Sequence, residues 1–243
     1  MSLLAQMPAE HDRSEAPLDI AFVLDRRQPV SDQVYEALKQ AIVSVRLLPG
    51  ASISENRIGR HFGVSRTPIR AAILRLVDDG LIEVFPQQGS FVAPIKRGDL
   101  ADNQFVRLSL EVAVLREVAA RWTPAMSAAS RAIVERQAAA VAAGDVEGFH
   151  EADERFHQIM TEFAGRQGVW QAILLAKTRL TRFIRLFGQR DRLPDAIAEH
   201  TAILDALDAG DTAEAEARLV YHLDRIFTLV ERLPEERRRF VVD

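Results

Sequence analysis

Between Val30 and Val92 the hydrophobic period changes once, from about 3.6 residues to about 2, and this change constrains the fold more than any other feature of the chain. Val34, Leu38, Ala41 and Ile42 recur at helical spacing within Val30 to Val43, with Ser31 placed to cap that helix. Pro49-Gly50 makes a turn; Ser54 opens a short second helix through Phe62, and Gly63 supplies the left-handed conformation that ends it. Ser65 or Thr67 caps a third helix, which tolerates Pro68 in its first turn, buries Ile69, Ala72, Ile73, Leu76 and Val77 on one side and stops at Gly80. Afterwards Leu81-Ile82-Glu83-Val84-Phe85 and Ser90-Phe91-Val92 flank the turn-rich Pro86-Gln87-Gln88-Gly89.

Three helices followed by a hairpin is the order of a winged helix-turn-helix. Beyond Pro94 the strand signals end. Leu108 to Ala120, Ser127 to Ala143, Val146 to Phe163, Val169 to Phe187, Asp195 to Leu207 and Thr212 to Leu233 read as helices punctuated by Pro and Gly. The expected fold is therefore mainly α: a flexible tail over 1–25, a winged helix-turn-helix over 26–94, a linker over 95–98, an antiparallel helical bundle over 99–233 that binds effector and dimerises, and a charged tail over 234–243. Charge divides along the same lines. Residues 26–97 carry eleven basic and six acidic side chains within a chain whose net charge is −4, so the basic excess sits on the segment expected to meet a polyanion. Absence of cysteine excludes disulfides, thiolate nucleophiles and Cys-ligated metals, and a cytoplasmic location is expected. No apolar run approaches the roughly 20 residues of a membrane helix. The acidic start, with Glu10, Asp12, Glu15 and Asp19, does not read as a signal peptide.

With its apolar stripe buried, the third helix leaves Arg66, Thr67 and Arg70 outward, and the two arginines, four apart, share a face. An arginine there can grip guanine bidentately or clamp a phosphate, while the small polar tip Gln87-Gln88-Gly89 suits the minor groove or the backbone. The wording of this segment is also informative: Leu48-Pro49-Gly50-Ala51-Ser52-Ile53-Ser54-Glu55, Phe62-Gly63-Val64-Ser65-Arg66-Thr67-Pro68-Ile69-Arg70, Leu76-Val77-Asp78-Asp79-Gly80-Leu81-Ile82 and Pro86-Gln87-Gln88-Gly89-Ser90-Phe91-Val92. Together they resemble the GntR family of bacterial transcription regulators. The resemblance implies that Arg66, Thr67, Arg70 and Gly89 lie at double-stranded DNA, with Gln88 of the polar tip a candidate beside them; Asn56 stands where some members carry a basic residue, and Arg57 follows it as a further candidate contact.

Six histidines are few enough to weigh singly. Asp153 and His157 are four apart on one helix, His200 lies among Ile197, Ile203, Leu204 and Leu207, and His222 among Leu219, Ile226 and Leu229. These inward groups are either hydrogen-bonded core residues or an N3O set for a divalent transition ion with one position open. The helical segment resembles the FCD type of effector domain, in which ligand positions fall at Asp153, His157, His200 and His222. The resemblance thus implies a metal, for which the N3O donor set suits zinc first and manganese or nickel next; His150, one turn before Asp153, is an extra or supporting group, and His11 and His61 are expected at the surface. Arg107-Leu108-Ser109-Leu110-Glu111 resembles the family's Arg-x-x-Leu-Glu, whose arginine pairs with a carboxylate, so Arg107 is the first candidate for a small organic-acid effector. Arg182 and Arg185 are the secondary ones.

The expected function is a ligand-responsive repressor that acts as a homodimer on a pseudo-palindromic operator. Two other readings stay open: a regulator that senses the metal itself, and a metal-dependent hydrolytic enzyme, for which no further acid/base pair stands out.

Overall fold

The computed structural model describes residues 18, 20–187, 192–231 and 240–242, without side-chain detail over 228–231. His11, the side chain of Leu229 and the charge run Glu235 to Arg239 lie outside that description. Two compact units result: Met1–Leu100 with Thr181–Leu186 and Leu233–Asp243, and Ala101–Leu180 with Phe187–Arg232.

In the first unit, α1 (Val30–Val43), α2 (Glu55–Phe62) and α3 (Arg66–Asp78) precede a hairpin of β2 (Ile82–Phe85) and β3 (Gly89–Val92). Ile69, Ala72 and Leu76 of α3 are fully buried, each of the larger two removing apolar surface worth about 1.5–3 kcal/mol. Ser54 caps α2 by accepting from the Arg57 amide, and Gly63 closes it at φ +66°, where a β-carbon would be strained. Ser31 does not cap α1: the helix starts at Val30 behind Pro29, so Ser31 already lies inside the first turn. A third strand, β1 (Ser52–Ile53), pairs antiparallel with β3, Ser52 opposite Phe91, giving the order β1-β3-β2. Two residues are too few for a period, which is why the sequence reading passed over this strand.

Both edges of the segment also differ from expectation. Leu18 and Ile20 are buried in the core of this unit, and Phe22 stacks on Phe62 with ring centroids 4.1 Å apart, so the packed domain reaches back into the residues expected as a tail. Nor is 95–98 a linker. Ile95–Lys96 form β4, which pairs in parallel with β5 (Val241–Val242), and α4 begins directly at Arg97.

The second unit is built from α4 (Arg97–Ala119), α5 (Pro124–Ala142), α6 (Val146–Phe163), α7 (Val169–Phe187), α8 (Leu193–Asp208) and α9 (Thr212–Glu231). Thr123 caps α5 with Pro124 in its first turn, so this helix starts three residues before the expected Ser127. Asp145 caps α6 through the Gly148 amide. The core runs through Leu115, Val118, Ile133, Phe156, Ile203 and Leu204. Thr181–Leu186 near the end of α7 group with the first unit.

Candidate DNA interface and metal centre

Burial of Ile69, Ala72, Ile73 and Leu76 turns Arg66, Thr67 and Arg70 to solvent, as the spacing predicts. The Arg70 guanidinium leans toward Glu55 of α2, Nε to Oε1 3.6 Å, while its side chain remains 75% exposed and so available to a polyanion. Arg57 is half-buried near the start of α2. At the hairpin tip Gln88 and Gly89 are exposed; Gln87 adopts φ +64° and Gly89 φ +117°, the latter a conformation that favours glycine and lets the tip project polar backbone.

Asp153, His157, His200 and His222 converge: their ligand atoms all lie within 4.8 Å of one another. Asp153 and His157 come from successive turns of α6, His200 from α8 and His222 from α9. His200 Nε2 stands 3.2 Å from His222 Nε2 and 3.7 Å from Asp153 Oδ1, and His157 Nε2 stands 3.9 Å from that same oxygen.

Each imidazole is oriented by an acceptor on its other nitrogen. His157 Nδ1 donates to Glu111 Oε2 (2.6 Å), His200 Nδ1 to Gln137 Oε1 (3.0 Å) and His222 Nδ1 to Glu199 Oε2 (2.8 Å). In a neutral ring this leaves Nε2 as a lone pair facing the cluster, the tautomer a metal ligand needs. Two such nitrogens 3.2 Å apart need either a proton or a metal ion between them, and ligands at about 2.0–2.1 Å from a tetrahedral zinc are about 3.4 Å apart. The donor set therefore fits a divalent transition ion.

Electrostatics agree. Burial pushes the His157 imidazole down to about 4, against the pull of Glu111, and burial together with neighbouring His222 drives His200 well down too. Both rings are neutral at pH 7. Burial opposes the charge on Asp153, but Lys177 and the surrounding imidazoles hold its carboxyl well below the usual range. Glu111 is likewise held low, Arg107 and His157 outweighing burial.

Arg107 reaches the cluster. Its Nε donates to Glu111 Oε1 at 2.6 Å and its Nη2 to His157 Nε2 at 3.1 Å, from a side chain only 6% exposed. A narrow, mainly apolar cavity is lined by the two partners of Arg107, Glu111 and His157, together with Leu115, Phe156, Met160, Ile173 and Leu219. Arg182 and Arg185 are the other two arginines considered for the effector. Both belong to the part of α7 grouped with the first unit, and Arg182 is buried with its Nη2 donating to the Ala93 carbonyl at 2.6 Å. His150 stands outside the cluster, and His61 bonds the Ile20 carbonyl at 2.7 Å.

Sequence reasoning missed Gln137, Lys177 and Glu199, and quoted Glu111 without giving it a role. The four-residue interval from Arg107 to Glu111 was a usable signal. None existed for Glu199, which neighbours His200 in sequence but anchors His222 on another helix.

Comparison with known proteins agrees with this division. The model of the bacterial regulatory proteins of the gntR family matches residues 30–92, and the FCD domain model matches 104–225. An uncharacterised HTH-type transcriptional regulator of an unstable DNA locus in Streptomyces ambofaciens is 36% identical over 82% of this chain and 84% of its own length. The HTH-type transcriptional repressor RspR of Escherichia coli K12 is 30% identical over 88% of this chain and 94% of its own. Among solved structures, a GntR-type regulator from Rhodococcus sp. RHA1 superposes with a TM-score of 0.70 at 22% identity, covering 84% of this chain and 99% of that one. E. coli McbR/YncC gives 0.69 at the same identity, over 84% and 98%. These relatives are transcription regulators, not enzymes, and no helix among the described residues is long and apolar enough to cross a membrane. With an exposed basic third helix ahead of a helical domain, and both halves matched by models covering most of its length, the chain is a DNA-binding transcription regulator that belongs to the gntR family and carries an FCD domain.

Proposed function

We propose that the chain is a cytoplasmic repressor whose helical domain holds a divalent metal, zinc first, and responds to a small carboxylate. The observation that carries this reading is the set of three imidazoles fixed through Nδ1 and presenting Nε2 beside Asp153. Asp153, His157, His200 and His222 would hold the ion, which when bound supplies a Lewis-acidic site for an oxygen anion. Arg107 orients the acid's carboxylate, and the apolar wall of Phe156, Met160 and Leu219 excludes water from its remainder. Arg66, Thr67 and Arg70 read the major groove, Arg57, Gln88 and Gly89 contact the backbone or minor groove, and a homodimer meets a pseudo-palindrome. Exposed Phe105 and Val106 on α4 and Leu175 on α7 are the apolar residues that a second copy would cover. The effector alters operator affinity by its differential affinity for two states of the bundle.

Relatives point the same way. Among those with named roles are the galactonate operon repressor of E. coli K12 and a probable D-xylose utilization operon repressor of Paenarthrobacter nicotinovorans. The test is a mobility-shift titration on the DNA upstream of the coding region, with Arg70→Ala as control. Saturable, competitor-resistant binding that collapses in the variant and is relieved by an organic acid only in zinc-loaded protein supports the reading. Relief that survives chelation removes the metal from the mechanism, and zinc alone shifting affinity would favour a metal sensor.

A further inference from the structure

Asp153 is not shared among the imidazoles alone. Its Oδ1 faces His157 and His200, whereas its Oδ2 accepts from Lys177 Nζ of α7 at 2.7 Å, and the Lys177 side chain is 6% exposed. Separately, the Arg107 guanidinium donates to His157 Nε2, one of the nitrogens turned to the cluster. Two buried cations therefore lean on two of the four candidate ligands. Their charges are matched by the Asp153 and Glu111 carboxylates, each within hydrogen-bond distance of its cation. A divalent ion held by Asp153, His157, His200 and His222 would leave this buried group in positive excess. Excess buried charge is costly unless an anion enters with it.

We propose that Lys177 makes metal and anion binding interdependent: its ammonium weakens the hold of Asp153 on a cation, and with Arg107 it forms the positive rim that an incoming carboxylate neutralises. This rests on the metal-centre reading above and deepens it by assigning a positioning residue and the linkage it creates. Lys177 pulls on one oxygen of the carboxylate whose other oxygen faces the imidazoles, so it keeps Asp153 ionised and fixed in direction while drawing electron density away from Oδ1. Its like charge repels a cation on that oxygen through a medium of low effective dielectric, where a unit charge acts more strongly than in water. An anion placed between Lys177 and Arg107 screens that repulsion. By linkage, whatever the anion adds to metal affinity the metal adds to anion affinity.

The experiment is competition of the full-length chain with a chromophoric chelator for Zn2+ at neutral pH, in sodium nitrate and again in saturating sodium acetate of equal ionic strength. Lys177→Gln keeps a hydrogen-bond donor to Asp153 and removes the charge; Lys177→Arg keeps the charge. Wild type is expected to bind zinc about fivefold more tightly in acetate, Lys177→Gln to bind about tenfold more tightly than wild type without acetate and to gain little from it, and Lys177→Arg to behave as wild type. A merely structural lysine would leave Gln binding zinc equally or more weakly, which overturns the proposal, as does an equal acetate effect in wild type and Gln or none in wild type. If Lys177→Gln is too weakly folded without zinc for the competition at ambient temperature, its zinc-induced rise in melting temperature, measured from a chilled apo sample, is compared with that of Lys177→Arg, and a smaller rise in Gln is the overturning result. Absence of zinc binding by every chain refutes the metal centre itself. Zinc binding by wild type without a tighter Gln variant refutes only the role of Lys177.

Discussion

Glu111 is the position where one substitution tests most of the reasoning about the bundle. Its two oxygens accept from Arg107 Nε and His157 Nδ1, both at 2.6 Å, and its side chain is 6% exposed. Glu111→Ala would leave a buried guanidinium without its carboxylate and a buried ring nitrogen without its acceptor. Breaking a buried pair by removing one partner costs about 3–5 kcal/mol. Both tryptophans, Trp122 and Trp170, lie in the second unit, so intrinsic fluorescence reports on the bundle alone. With a urea dependence of about 2 kcal/mol/M, the loss moves the fluorescence midpoint down by about 1.5–2.5 M. Because the same carboxylate fixes the His157 tautomer, zinc affinity falls by about 10–100-fold as well. Glu111→Gln, which can accept from only one of the two donors, falls between Ala and wild type. A midpoint shift under about 0.5 M would mean that Arg107 and His157 find other partners at little cost, and the account of a preorganised imidazole would be wrong.

Other consequences are open to direct measurement. In chelator-treated protein the bundle loses stability as pH falls from about 6.5 to about 4, because the unfolded chain takes up a proton at His157 that the folded chain refuses until about 4. That difference amounts to about 3 kcal/mol, and His200 adds in the same direction, so a fluorescence midpoint flat between pH 7 and pH 4.5 would contradict the burial argument. Phe22→Ala removes the stack on Phe62 and should speed tryptic cleavage after Arg26 and Arg27 by about tenfold; an unchanged rate would show that the segment holds nothing in place. Arg57→Gln, read on DNA, should weaken all duplexes alike and lower the salt slope by about one, whereas Arg70→Ala should erode preference among sequences, and the reverse pattern would exchange their roles.

How much of this was legible in the sequence depended on the range over which each signal acts. The period change near Gly80, the Ser54 cap and the Gly63 stop are local facts of backbone chemistry, and they place α2, α3 and the hairpin within a residue or two. The Asp153 and His157 pair was visible because one helix sets their spacing. Contacts across sequence distance were not. β1 is two residues long, and Leu18 and Ile20 join the core from a segment whose composition is that of a tail. Lys177 meets Asp153 across 24 residues, and in α7, where Arg179, Arg182 and Arg185 follow it, one more basic residue reads as a solvated charge. Arg185 shows the same limit: periodicity gives the face of a helix, not the unit with which that face groups, here the first.

The choice of acceptor behind each imidazole follows from charge balance. His157 and His222 are anchored by carboxylates that also have an arginine nearby, Arg107 for Glu111 and Arg192 for Glu199, at 2.6 and 2.9 Å. His200 is wholly buried, stacked on Phe156 with centroids 4.0 Å apart, and its acceptor is the amide oxygen of Gln137, itself wholly buried. A carboxylate at 137 would need a counter-cation in that apolar layer or would carry an uncompensated charge, whereas the amide orients the ring without one. A carboxylate behind an imidazole raises its basicity and an amide does so less, so His200 is the weakest donor electronically and the most rigidly held. Gln137→Glu separates these properties. If basicity limits zinc binding, the substitution tightens it; if charge balance dominates, it destabilises the bundle and weakens zinc, which is the outcome expected for a site with no cation to spare at that depth.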